Sequence, residues 1–130
     1  MHKIILLVRQ LRRIALFKVS TRAVVITLMI LGLWVATSKL EFDTSFNISD
    51  KIIHAVVFFG FAMLLDLSSS RHPFWLWKGL PLLAYGVFVE VLQYFTPFRS
   101  FSVLDMVADF SGIMLYFLLK MALIQFDKNQ

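Results

Sequence analysis

Asp50 and His54 stand four residues apart, Glu90 and Gln93 three apart, and Asp105 and Asp109 four apart, with Lys51 and Arg99 close by in the chain. On a helix these spacings put each pair on one face. A histidine beside carboxylates makes a workable acid/base set. An arginine within reach can hold a phosphate or carboxylate through two parallel hydrogen bonds. His54, Glu90 and Asp105 are therefore the candidates for proton transfer. Asp50, Lys51, Gln93, Arg99 and Asp109 are the candidates for binding a substrate. The ligand types at Asp50, His54, Glu90 and Asp105 would suit a divalent cation. Nothing in their spacing demands one, and neither a metal nor a cofactor is expected.

These eight residues interrupt sequence that is otherwise strongly apolar. Hydrophobic residues make up 59% of the 130 and aromatic ones 15%, and the mean hydropathy is +0.79. A soluble chain of this length would lack polar surface with that composition. Four apolar runs, at about 22–38, 50–67, 76–95 and 103–126, are each long enough to cross a membrane once their flanks are included. They are apolar on every face, which argues against the alternating strands of an outer-membrane barrel. The expected fold is an all-α integral membrane bundle of four transmembrane helices. No repeat or linker divides the chain, so residues 1–130 read as one domain.

Charge gives the bundle an expected orientation. Lys3, Arg9, Arg12, Arg13, Lys18 and Arg22 precede the first span, and no acidic residue occurs before Glu41. Basic residues near span ends stay on the cytoplasmic side, so both termini are expected there. Arg71, Lys78, Lys120 and Lys128 fit that side, while Lys39, Glu41 and Asp43 fit an outer loop. Residues 3–18 mix basic and bulky apolar side chains, as an interfacial helix on an anionic leaflet does. A nucleic-acid partner is not expected, and neither is a cleaved signal peptide. The lack of cysteine excludes disulfides, lipidated cysteine and cysteine-metal sites.

With alternating spans, all eight polar residues gather at the outer end. Capping or snorkelling would account for Asp50, Lys51 and Asp105. His54, Glu90 and Asp109 lie a turn or more inside, where ionisable groups are costly and serve function. Ser49 or Asp50 is expected to cap the second span. Thr96-Pro97 ends the third, and Ser102 with Asp105 forms a capping box for the fourth. One glycine per span, at positions 32, 60, 86 and 112, could permit close helix contact. Asp66 is expected to snorkel or cap near Ser68 to Ser70, and His72 to be solvated.

The ordered set Asp50-Lys51-x-x-His54, Glu90-x-x-Gln93, Arg99-Ser100-x-Ser102-x-x-Asp105 and Gly112 resembles the VanZ-like family. These are small bacterial integral membrane proteins whose namesake is linked to low-level teicoplanin resistance. The resemblance covers about half the chain and implies an envelope role without supplying a reaction. The family commonly has asparagine where this chain has Asp109. The leading expectation is an inner-membrane protein that binds or modifies a lipid headgroup or lipid-linked envelope precursor at an outward-facing polar pocket. The rival is a structural or accessory protein whose polar cluster locks helix ends. A proton-coupled transporter fits less well, because no polar group is expected near the midplane. Oligomeric state cannot be read from the sequence.

Overall fold

The computed structural model describes residues 2–11, 13–38 and 48–129. Arg12, the loop charges Lys39, Glu41 and Asp43, and the side chain of Ser49 lie outside what is described. The described chain forms five α-helices: α1 (His2–Leu11), α2 (Ala15–Thr37), α3 (Ile48–Ser68), α4 (Leu80–Tyr94) and α5 (Val103–Lys128). A π-helical turn, Trp75–Gly79, leads directly into α4. Pro81, in the first turn of α4, has no N–H to give Trp77, so the regular ladder is interrupted where the wider turn joins it. Four segments are long and apolar enough to cross a membrane: Ala15–Thr37, Asp50–Ser68, Trp75–Tyr94 and Val103–Lys128.

The first of these starts at Ala15, ahead of the expected 22. Residues 15–21 carry one charge, Lys18, and the Thr21 hydroxyl is satisfied by donating to Phe17 O at 2.8 Å. Helix α1 precedes it, with Arg9 of α1 3.8 Å from Asp127 near the end of α5. Large apolar residues on the outer faces stay open: Ile30, Trp34, Val56 and Leu115 are each more than 60% exposed. Such continuous apolar surface suits lipid rather than water.

Helices α3 and α5 make the most extensive contact in the bundle. Gly112 permits it, because a Cβ there would strike the backbone carbonyl of Ala55. Gly60 has no such role, since a Cβ added to it would meet nothing within 4 Å. The buried core joins Phe58, Phe61, Ala62, Phe74, Leu82, Ile113 and Tyr116. Phe58 and Phe61 meet edge-on with centroids 5.7 Å apart, an arrangement aromatic quadrupoles favour.

Asp66 corrects one expectation. It neither snorkels nor caps but is buried, at 1% exposure. Lys78 of the π-helical turn donates to its Oδ1 at 2.6 Å and Lys120 of α5 at 2.8 Å. The Tyr116 hydroxyl donates to Oδ2 at 2.8 Å. The physical reason is that a carboxylate held at this depth needs charged and hydroxyl partners, and two segments, the π-helical turn and α5, supply three of them. Lys78 and Lys120, read from sequence only as signals of orientation, are parts of this core. His72 is exposed, as expected.

Candidate functional site

At the opposite end of α3, Asp50, Lys51 and His54 occupy its first two turns. They face Asp105 and Asp109 in the first two turns of α5. Lys51 Nζ pairs with Asp105 Oδ1, lies 3.5 Å from Ser102 Oγ and is 3.6 Å from Asp50 Oδ2. His54 Nδ1 and Asp109 Oδ1 are 2.9 Å apart. The second ring nitrogen, Nε2, is 3.9 Å from Asp105 Oδ2, too far for a hydrogen bond. Asp109 thus meets the histidine across two helices, and Asp109 itself is 2% exposed. Its other oxygen lies against Gly86 of α4, where a Cβ would come within 2.7 Å of Oδ2. A glycine at 86 is what leaves that carboxylate its place.

Glu90 of α4 is wholly buried and does something the spacing did not suggest. Its Oε2 accepts the backbone N–H of Ser102 at 2.7 Å. Ser102 is the N-cap of α5, and its Oγ accepts the N–H of Asp105 at 3.3 Å. Only half of the expected capping box therefore forms within α5. The returning contact, from an acid to the N–H of the cap residue, comes from Glu90 on another helix, while the Asp105 side chain turns to Lys51. Glu90 Oε1 is buried with no hydrogen-bond partner among the described residues.

Gln93 and Arg99 attend to α2. Gln93 Nε2 donates to Ala36 O at 3.2 Å, and Arg99 Nη2 lies 3.4 Å from Val35 O. These are among the last carbonyls of α2, which lack a regular intrahelical partner; Val35 O also accepts from the N–H and hydroxyl of Ser38, the C-cap. Side-chain donors at this end also complement its partial negative charge.

A cavity of about 690 Å³ opens beside these groups, between α2, α3 and α4. Of the eight polar residues, Asp50, His54, Gln93 and Arg99 line it; Lys51, Glu90, Asp105 and Asp109 stand behind them. The structure thus brings the eight to one end of the bundle in two ranks. Asp50, His54 and Asp105 could in principle hold a cation, since one ligand atom from each lies within 4.8 Å of the others. The Lys51 ammonium already sits against both carboxylates, so a metal ion would compete with a resident positive charge.

Four apolar helices around a two-ranked polar site at one end define a small multi-pass membrane protein. The VanZ/LLP1 family model matches residues 4–124, and the chain belongs to that family. No curated protein and no solved structure matches it. The match extends beyond the motif-bearing half and takes in α2, the helix whose end Gln93 and Arg99 hold.

Proposed function

We propose that the protein lies in the bacterial cytoplasmic membrane with both termini cytoplasmic and the polar site toward the outer leaflet. There it binds, and through His54 acts upon, a lipid headgroup or a lipid-linked envelope precursor. One observation carries the reading: His54 is held at Nδ1 by buried Asp109 while its ring lines a cavity shared with Arg99 and Asp50. A carboxylate on one ring nitrogen fixes the tautomer and leaves the other nitrogen to exchange a proton with substrate. Asp109, proposed from sequence as a substrate contact, is better suited to position His54. Arg99 is the anion-binding candidate, because its planar guanidinium can hold a phosphate or carboxylate through two hydrogen bonds. Asp50 and Gln93 line the same space, and Lys51 and Asp105 set the charge around the histidine.

The test is paired substitution. His54→Gln, which keeps a hydrogen-bond donor for buried Asp109, should abolish retention of the native lipid and any effect on teicoplanin susceptibility, with the thermal midpoint of the detergent-solubilised protein near that of the parent. Asp109→Asn keeps the shape and should lower the same readouts partially. If both variants retain lipid and phenotype, the reading fails.

The structural rival has support at three residues, because Glu90, Gln93 and Arg99 bind helix ends. Glu90 decides how far that support goes. Glu90→Gln keeps an oxygen for the Ser102 N–H and should leave stability near the parent value. Glu90→Ala removes it and should cost about 1 kcal/mol, the usual worth of a helix cap, measured by thermal unfolding. An equal loss of lipid retention in a Glu90→Gln variant of parental stability would give Glu90 a direct part in binding.

A further inference from the structure

Helix α2 meets the rest of the bundle at points spread from its middle to its C-terminal end, and a cavity opens between them. Near its middle Val25 is buried at 2% exposure, and one turn earlier Arg22 Nε donates to Ser68 O at 3.3 Å. At the C-terminal end, Gln93 and Arg99 reach Ala36 and Val35. Between these the Tyr85 hydroxyl of α4 donates to Met29 O at 2.6 Å, and the cavity fills the interval. Its walls are apolar below the polar end: Leu28 and Leu31 on α2, Val57, Gly60 and Leu64 on α3, and Val89 on α4. Gly60 leaves its stretch of wall open, since nothing lies within 4 Å of the position a Cβ would take. The polar residues stand at the other end of the same space, so the cavity is amphipathic along its length.

The dimensions select an occupant. Along α3, His54 and Leu64 are ten residues apart, or about 15 Å of helical rise. That is about half of the ~30 Å hydrocarbon core of a bilayer, the depth of one leaflet. A volume of about 690 Å³ is in the range of sites for elongated small molecules. A largely apolar slot of this depth, in a helix bundle immersed in lipid, suits a hydrocarbon chain, and the Tyr85 hydroxyl on its wall already donates to Met29 O. A head seated at Arg99 would find a guanidinium suited to phosphate or carboxylate.

We propose that the space between α2 and α3 is an acyl slot that holds one chain of an anionic, single-leaflet amphiphile, with the head at Arg99 and His54 and the chain running past Gly60 to Leu64. This deepens the function proposed above and rests on it. It adds that the ligand is recognised through its chain as well as its head, and that Gly60 sets the width of the slot. A soluble headgroup without a chain is then a poor ligand.

The full chain, purified in a neutral detergent and released for native mass spectrometry, can be titrated with n-dodecyl phosphate and with inorganic phosphate. The parent should retain the alkyl phosphate and not the inorganic ion. Gly60→Leu places a side chain in open space, so the fold should keep its thermal midpoint while retention falls by about tenfold or more, a loss of about 1.4 kcal/mol. Gly60→Ala should give a smaller loss in the same direction. Arg99→Gln should weaken the alkyl phosphate in the parent background through the head alone. If Gly60→Leu binds as the parent does while Arg99→Gln does not, the slot is overturned and the head site stands. If Gly60→Leu loses binding while Arg99→Gln keeps it, the slot stands and the anion-binding reading of Arg99 fails. If the parent retains no alkyl phosphate, or holds inorganic phosphate equally well, the slot is overturned.

Discussion

Asp66→Asn should destabilise the protein by about 3–5 kcal/mol, the range found when one partner of a buried ion pair is removed. Lys78 and Lys120 both donate to one oxygen of this carboxylate, and the Lys78 side chain is 1% exposed. An amide oxygen could still accept a hydrogen bond, but the negative charge between two ammonium groups would be gone. Lys120, with 17% of its side chain exposed, has some freedom to withdraw toward the interface; Lys78 has almost none. The Tyr116 hydroxyl would lose its charged acceptor, and Phe74, whose ring lies 6.0 Å from Lys78 Nζ and 5.5 Å from Lys120 Nζ, would be left between two cations. Thermal unfolding in detergent, followed by tryptophan fluorescence and by monodispersity on a sizing column, reads the effect. Pairing Asp66→Leu with Lys78→Leu should recover part of the loss, since an apolar pair of similar volume often replaces a buried ion pair well. A parental midpoint for Asp66→Asn would show that the carboxylate does not hold these helices.

Gly112→Val is the second large effect expected. The neighbour that a new side chain would strike is the Ala55 carbonyl, followed by other backbone atoms as far as Phe59 N at 3.0 Å. Backbone in mid-helix cannot rotate aside as a side chain can, so α3 and α5 would have to separate along their main contact. Overpacking of this kind costs about 1–3 kcal/mol even where side chains can adjust. Here the polar site would suffer too, because Lys51–Asp105 and His54–Asp109 span the same two helices. Loss of folded yield together with loss of lipid retention is the expected result. Gly60→Ala is the internal control: with open space at its Cβ it should keep stability or improve it by up to about 1 kcal/mol, the helix preference of alanine over glycine. If the two variants unfold at the same temperature, the close approach at Gly112 is not what sets the bundle.

Much of this was legible in the sequence because the governing signals are local. Continuous apolar runs define the four long helices, and spacings of three and four put each polar pair on one face. Thr96-Pro97 and Ser102 mark the turn between α4 and α5, and the Ser102 side chain does cap Asp105 N. What could not be read is pairing across helices. His54 meeting Asp109, and Asp105 turning to Lys51, depend on the register of α3 against α5, which no periodicity within either segment reveals. Glu90 closing the cap at Ser102 was hidden by Asp105, which has the right type and spacing to close it but is drawn away by a lysine. The Asp66 cluster escaped for a different reason. Asp66, Lys78 and Lys120 each sit near a span end, where contact with water or headgroups explains an isolated charge. Only three such residues taken together, with Tyr116 one turn before Lys120, hint at a common partner. The four glycines looked equivalent and are not: Gly112 admits a backbone, Gly86 admits a carboxylate, and Gly60 admits nothing of the protein's own.

The two polar ends of the bundle differ in sign. Asp50, Glu90, Asp105 and Asp109 accompany Lys51 and Arg99 at one end, while Asp66 accompanies Lys78, Lys120 and Arg22 at the other. In formal charge these described residues therefore form a dipole along the bundle, which the proposed topology would set across the bilayer. An energised membrane, negative inside, acts on such a dipole at about 2.3 kcal/mol per elementary charge for each 100 mV crossed. Turning the bundle over would carry its basic end against that voltage and its acidic end with the wrong sign as well. The field would thus favour the same orientation as the basic N-terminal segment, and would go on doing so after insertion is complete.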